Sequence, residues 1–252
     1  MSLSLIEGLR QRHELDLYVG DAQLQWADHR VQGQTTYSVQ PLSDLQIAGV
    51  VQAVEKGLGV LGISRRVRIN IILGLSWCRH VLLAWDHRLV DPALAIAVAR
   101  VNFEKRFDSS AQGHHVILTK PEYLKSQVAT FVSVELIESL RLLLENRGVQ
   151  LGRAEPLLAV VWNRLPELPE GAGALAILEG GRVLVVRVQG GSPKSISTQP
   201  CVAPDDLLGT PLAESLYVFA PGQSVPRPLI ALSIESGKQL DSFGYVRCAG
   251  TN

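Results

Sequence analysis

The chain has 252 residues, 46% hydrophobic and 19% charged, enough to bury a sizeable core in one large domain or two lobes. Its formal net charge is zero and its pI is near 7, so no general electrostatic attraction draws it to nucleic acid or to an anionic membrane. Three scattered cysteines, Cys78, Cys201 and Cys248, form no CxxC pair; they argue against a disulfide framework or a zinc site and read as small apolar core residues of a reducing compartment.

Residues 1–12 mix Glu7, Arg10 and Arg12 with apolar residues and lack the apolar stretch of a signal peptide. The longest apolar runs, such as 71–75 and 81–85, are too short to span a bilayer, so a soluble, cytoplasmic protein is expected.

In chain order, residues 15–19 and 23–26 read as two strands joined by a Gly20-Asp21 turn, with a third strand at 35–39. Ser43 and Asp44 are expected to open a helix whose apolar positions are Ile47, Ala48, Val51 and Val54, and which Gly57 and Gly59 end. The stretch Gly57-Leu-Gly59-Val-Leu-Gly62 matches GxGxxG. It follows a helix and precedes a strand, the reverse of a dinucleotide-binding context, and is expected to be a helix-to-strand loop.

Residues 67–73 read as a buried strand and 80–85 as another. The basic cluster Arg65-Arg66-Val67-Arg68 is expected to be a solvated strand edge, with an acidic partner surface as the alternative. Trp85-Asp86-His87-Arg88 is expected to be a polar turn. Asp91-Pro92 is a strong helix start, an N-cap acid followed by proline at the first helical position, with Leu94, Ala97, Val98 and Val101 as the apolar face. His114 and His115 open a strand on which adjacent side chains point oppositely, which argues against joint metal binding.

Helices are expected at 121–131, with Tyr123, Leu124, Val128 and Phe131 as its apolar positions, and at 134–145, stopped by Asn146-Arg147-Gly148. An extended stretch at 149–155 leads to a helix started by Pro156. The Pro/Gly-rich break at 165–173 is the best lobe boundary. Residues 174–179 and 182–188 flank a Gly180-Gly181 hairpin turn, where glycine supplies the positive φ that a two-residue loop needs. Beyond it, 190–204 reads as irregular with only weak strand character at 195–198, 204–214 as one short helix, 216–220 as a buried strand before Pro221-Gly222, and 228–236 as a short helix. No internal repeat is evident. Alternation of strands and helices gives an α/β or α+β class with mixed sheets.

The element order from 117 to 188 is strand, helix, Arg147-Gly148-Val149 turn, short strand, Glu155-Pro156, helix, loop and hairpin. In this order, and in those two motifs, the chain resembles the actin-like PilM proteins of type IV pilus assembly and the cytoplasmic domain of the GspL proteins of type II secretion. The resemblance implies an actin-like (ribonuclease H-like) two-lobed fold with mixed sheets flanked by helices. A first lobe would span 1–165, with a small inserted subdomain near 40–115, and a second, shortened lobe would span 171–252.

Family members that bind ATP carry an Asp-x-Gly start and a following lysine in the first hairpin. Here Gly20 matches, but Tyr18 holds the acid position and Gln25 stands near the lysine position. The second hairpin offers only Glu179-Gly180-Gly181, and the adenosine-side glycine pair is reduced to Pro221-Gly222, where proline lacks an N–H. An Mg-ATP site needs oxygen ligands for the metal and N–H or cationic donors for phosphate. The three loops are degenerate on that measure, and Gly20, Asp21, Glu179, Gly180, Gly181 and Gly222 are vestigial nucleotide-loop residues on this reading.

The resemblance therefore implies a non-catalytic scaffold without cofactor, recruited to the inner-membrane face by membrane-anchored pilus or secretion assembly proteins and capable of homo-oligomerisation. With no membrane-spanning helix expected, attachment would be non-covalent, an extended partner segment entering a groove by apolar pockets and backbone pairing. The alternative is an actin-fold ATPase or small-molecule kinase that binds ATP and Mg²⁺ through Asp21 and Glu179. An unrelated α/β enzyme with a site assembled from distant residues also stands open, since fold analogy does not fix function.

Overall fold

The computed structural model describes residues 13–31, 34–42, 44–63, 67–163, 171–207, 215–220 and 230–231. Its strands are β1 (His13–Val19), β2 (Gln23–Val31), β3 (Gln34–Pro41), β4 (Val67–Leu73), β5 (Cys78–Leu83), β6 (His114–Leu118), β7 (Gln127–Ser133), β8 (Gln150–Pro156), β9 (Ala172–Glu179), β10 (Arg182–Gln189), β11 (Ser192–Pro200), β12 (Ser215–Phe219) and β13 (Ile230–Ala231). Its α-helices are α1 (Ile47–Val60), α2 (Pro92–Phe107), α3 (Val134–Asn146) and α4 (Leu157–Trp162). By packing, the chain divides into two units, 1–73 with 135–155 and 74–134 with 156–252.

In the first unit β1 is buried on both faces, with Leu15, Leu17 and Val19 on one and Asp16 and Tyr18 on the other. A strand without a solvent face belongs in the middle of a sheet. β1 accordingly pairs antiparallel with β2 and parallel with β4, in the order β3-β2-β1-β4-β8. Buried Asp16 accepts a 3.0 Å hydrogen bond from the Asn70 amide on β4, so this polar pair is satisfied within the sheet.

The second unit holds a five-stranded sheet of the same connectivity, β11-β10-β9-β12-β13. Its central strand β9 pairs antiparallel with β10 and parallel with β12. The two sheets are thus a repeat of topology without a repeat of sequence. The same unit contains a three-stranded antiparallel sheet, β5-β7-β6, on which α2 packs through Ala95, Ala99 and Phe103 against Val81, Leu83 and Phe131.

Several expected elements form as expected. Asp91 caps α2, its carboxylate accepting from the Ala93 N–H at 2.9 Å, with Pro92 at the first helical position. α3 buries Leu136, Leu140 and Leu144 and ends at Gly148 (φ +71°), where the Val149 N–H returns to the Leu144 carbonyl. The β9–β10 turn is Gly180-Gly181, with φ +58° and +73°.

Others are corrected. Residues 127–133 are strand β7, not part of a helix: 127–132 are buried throughout, and a short run buried on both faces carries no period that separates strand from helix. The buried stripe of α2 is Ala95, Ala99 and Phe103, whereas Leu94 and Val101 are 38% and 50% exposed; the small alanines let the helix sit close on its sheet. Residues 192–200 form edge strand β11, reached by a second Gly-Gly turn at Gly190-Gly191 with positive φ at both; its polar outer face and its prolines hid it. Pro156 ends β8 and precedes α4 as its N-cap. A 3₁₀ turn occupies Pro204–Leu207, and Ile230 and Ala231 pair with β12 as strand rather than helix. The Ser43 cap, Arg65, Arg66, Cys248, the break at 165–170 and the remaining parts of the expected helices at 204–214 and 228–236 lie outside the described residues.

Helix α1 begins at Ile47, with the Asp44 carboxylate accepting from the Gln46 N–H at 2.7 Å. Gly57 and Gly59 do not end it. Both lie inside the helix, which stops at Gly62 (φ +59°), so the GxGxxG stretch is mostly helical. The two glycines have opposite surroundings. A Cβ at Gly57 would stand 2.6 Å from the Trp26 indole nitrogen on β2, whereas nothing lies within 4 Å of one at Gly59. Gly57→Ala should therefore destabilise the protein by about 1–3 kcal/mol through overpacking. Gly59→Ala should stabilise it by roughly 0.5–1 kcal/mol through helix propensity. Urea denaturation midpoints with unchanged slopes check both signs.

Candidate functional site

Strand pairing places the turns singled out from the sequence. Val19 of β1 pairs with Leu73 of β4, so Gly20 and Asp21 stand beside the C-terminal exit of β4. Ile177 of β9 pairs with Phe219 of β12, so Gly180 and Gly181 stand beside the exit of β12. Carboxyl ends of parallel strands are where open α/β sheets bind ligands. Gly222, beyond the exit of β12, lies outside the described residues.

At the first turn the Gly20 N–H donates to the Gln23 carbonyl at 3.0 Å, and Asp21 is half-buried. Tyr18 and Gln25, the residues at or near the positions of the expected acid and lysine, are partners across β1 and β2, 6% and 5% exposed. A buried phenol and a buried amide there supply neither a charged metal ligand nor a cation for phosphate.

At the second turn Glu179 is directed to the protein's own backbone. Its carboxylate accepts a short hydrogen bond from the Leu75 N–H. It also lies against Gly74, where a Cβ would collide with it. Gly74 opens a 3₁₀ turn at Leu75–Trp77, so Glu179 satisfies an N–H at the start of that turn much as a capping acid does. The buried Cys78 thiol just beyond is pushed far up in pKa, first by burial and then by the Glu179 charge.

A groove in the second unit has a cavity volume of about 350 Å³. Ile117 and Thr119 at the end of β6, Lys125 in the β6–β7 connection, Trp162 of α4, Val186 of β10 and Pro193 of β11 contribute to its walls. Among the described residues β6 pairs only with β7, which leaves its other edge to an additional strand, and Ile117 is 37% exposed there. The connecting loop is held by Lys125 to Glu122 at 2.6 Å and by the Ser126 N–H to the Ser192 hydroxyl at 3.1 Å. It presents Tyr123 and Leu124 to solvent, 80% and 61% exposed, with Leu124 at φ +59°. No sequence motif marks this groove; the mistaken helix over 121–131 concealed it.

The remaining polar motifs have local roles. Asp86 caps the 3₁₀ turn His87–Val90, and the Arg88 guanidinium holds its carboxyl well below the usual carboxylate range. His114 is half-buried and His115 exposed, as alternation on β6 requires.

His80 on β5 is 6% exposed, with Nδ1 3.0 Å from the Thr130 hydroxyl on β7. Burial first, then Arg106 and Arg79, lowers its pKa to about 4. The unfolded chain binds this proton near pH 6.5, so the stabilisation that neutral His80 confers is complete above that pH. It is lost as pH falls from 6.5 toward 4, by roughly 2–4 kcal/mol in all. Glutamine at this position, His80→Gln, should flatten most of that slope in stability measured against pH. Glu179→Ala should cost about 1–3 kcal/mol in denaturant titrations, because it strands the Leu75 N–H.

No protein-family model matches the sequence, and no curated protein matches it. Solved structures do match. The cytoplasmic domain of EpsL, an inner-membrane component of the type II secretion system of Vibrio cholerae, superposes with a TM-score of 0.51 at 11% identity, over 86% of this chain and 87% of that one. A Bacteroides thetaiotaomicron protein with an actin-like ATPase fold and unknown function gives 0.56 at 9% identity, over 84% of each chain. The PilM–PilN type IV pilus biogenesis complex gives 0.49 at 14% identity, over 75% of this chain and 61% of that one. The first two similarities, with the doubled sheet topology, establish that this chain has an actin-like fold.

Proposed function

We propose that the protein is a non-catalytic actin-like scaffold of a type II secretion or type IV pilus-like assembly, docking a membrane-anchored partner at the inner-membrane face. The observation that carries this reading is Glu179: the one acid of the second turn is hydrogen-bonded to the Leu75 backbone rather than presented to a metal. Buried Tyr18 and Gln25 at the first turn support it from an independent site. Among the described residues no helix is long and apolar enough to cross a membrane, so on this reading attachment runs through the partner.

The groove beside β6 is the docking site in this proposal. An extended partner segment would continue the three-stranded sheet by pairing with the free edge of β6, and would place apolar side chains against Trp162, Val186 and Pro193. Backbone pairing supplies affinity and the pocket supplies selectivity, with no bond made or broken.

Ile117→Asp puts a charge on the open edge, and Ala159→Arg fills the groove from α4. Each should reduce co-purification with the cytoplasmic segments of inner-membrane assembly proteins at least tenfold while leaving the melting temperature within a few degrees. Undiminished capture by both variants would refute this docking site.

A further inference from the structure

A second cavity in the same unit, about 260 Å³, has a different character from the groove. It is walled by β5, the C-terminal end of α2, and strands β10 and β11, and it contains none of the residues of the two turns. Arg79, Arg106 and Arg182 line it, together with His80 and Thr198. Its apolar floor is Leu184 and Ile196.

The charges are arranged in an unusual way. Arg79 and Arg106 both stand over the Phe107 ring, 5.8 and 5.6 Å from its centroid. Arg106 donates one hydrogen bond to the Ile196 carbonyl at 2.8 Å, which orients the group and leaves further N–H donors. Among the described residues neither Arg79 nor Arg106 has a carboxylate partner. Arg182 and Glu179, partners across β10 and β9, each have an interaction of their own. Two like charges sharing one ring repel each other unless an anion joins them.

His80 also stands in the wall, its Nδ1 held by Thr130 at 3.0 Å and its Nε2 without accessible surface, so the ring borders the cavity without offering a contact to it.

We propose that this cavity binds a small phosphorylated molecule, its phosphate oxygens taken by Arg79 and Arg106 above the Phe107 ring. The fork of a guanidinium matches phosphate geometry, and two such groups over one ring suit a dianion better than a single carboxylate. The volume falls just below the roughly 300–1,000 Å³ typical of drug-sized ligand sites, which favours phosphate or diphosphate with a small organic body. The site does not rest on the scaffold reading.

The test is calorimetry on the full chain with inorganic phosphate and with pyrophosphate at low ionic strength, with chloride as the control. Saturable binding is expected, stronger for pyrophosphate. Arg79→Gln and Arg106→Gln should each weaken it at least tenfold. Arg153→Gln, which removes the same charge from an exposed pair with Glu155, should leave it unchanged. Absence of saturable binding, or equal weakening by all three variants, would overturn the site. Should the arginine variants fail to fold, the wild-type His80 ring signals in long-range ¹H–¹⁵N spectra decide: they should shift on adding pyrophosphate, and unmoved signals contradict the proposal.

Discussion

Each five-stranded sheet depends on a central strand that accepts an antiparallel neighbour on one side and a parallel neighbour on the other. β1 does this between β2 and β4, and β9 between β10 and β12. Such a strand has no solvent face, so its side chains are apolar or, like Asp16, satisfied within the sheet; β1 and β9 are buried nearly end to end. The arrangement also fixes where the turns fall. A hairpin turn that follows the central strand lies at the same sheet end as the exit of the parallel strand, so each sheet brings a glycine-containing turn to the edge where α/β folds hold ligands. The parallel partner needs a long connection. In the first sheet that connection contains α1, and the three-stranded sheet with α2 enters after β4.

Given that geometry, the identity of a few side chains at the turns decides the chemistry. An acid facing open space at a turn can hold a metal; an acid hydrogen-bonded to its own backbone holds a loop. Glu179 is of the second kind, and its carboxylate fills the room that the absent side chain of Gly74 provides. The pairing of buried Tyr18 with buried Gln25 makes the strand ends that lead into the first turn a piece of core. Glu179 and the Tyr18–Gln25 pair are thus turned to the protein's own backbone and core rather than to the sheet ends where α/β folds hold ligands.

Much of the fold was legible in the sequence because its signals were local. Asp91-Pro92 started a helix, Gly148 stopped one, and Gly180-Gly181 turned a hairpin, each through a backbone conformation that those residues favour. Signals that depend on tertiary context failed. β7 is buried on both faces and so has no period. β11 is an edge strand with a polar face, and the Gly190-Gly191 turn before it carried the same signal as its neighbour but led into residues whose strand character, at 195–198, is weak. The apolar face of α2 was misplaced because its contact with the sheet is made by alanines, whose burial a hydrophobic stripe does not announce. The candidate site was legible as turns. The partner of Glu179, 104 residues away in sequence, was not. Neither was the convergence of Arg79, Arg106 and Arg182 from three separate elements on one cavity.

The most direct measurement is calorimetric titration of the protein with ATP and ADP, each with and without Mg²⁺. The account predicts no binding that requires Mg²⁺, because neither turn presents a free metal-binding constellation; any phosphate-driven binding at the arginine-lined cavity would be independent of the metal and sensitive to Arg79→Gln. Tight Mg²⁺-dependent binding, abolished by Asp21→Ala or Glu179→Ala, would contradict the account and make the chain an ATP-binding member of its fold.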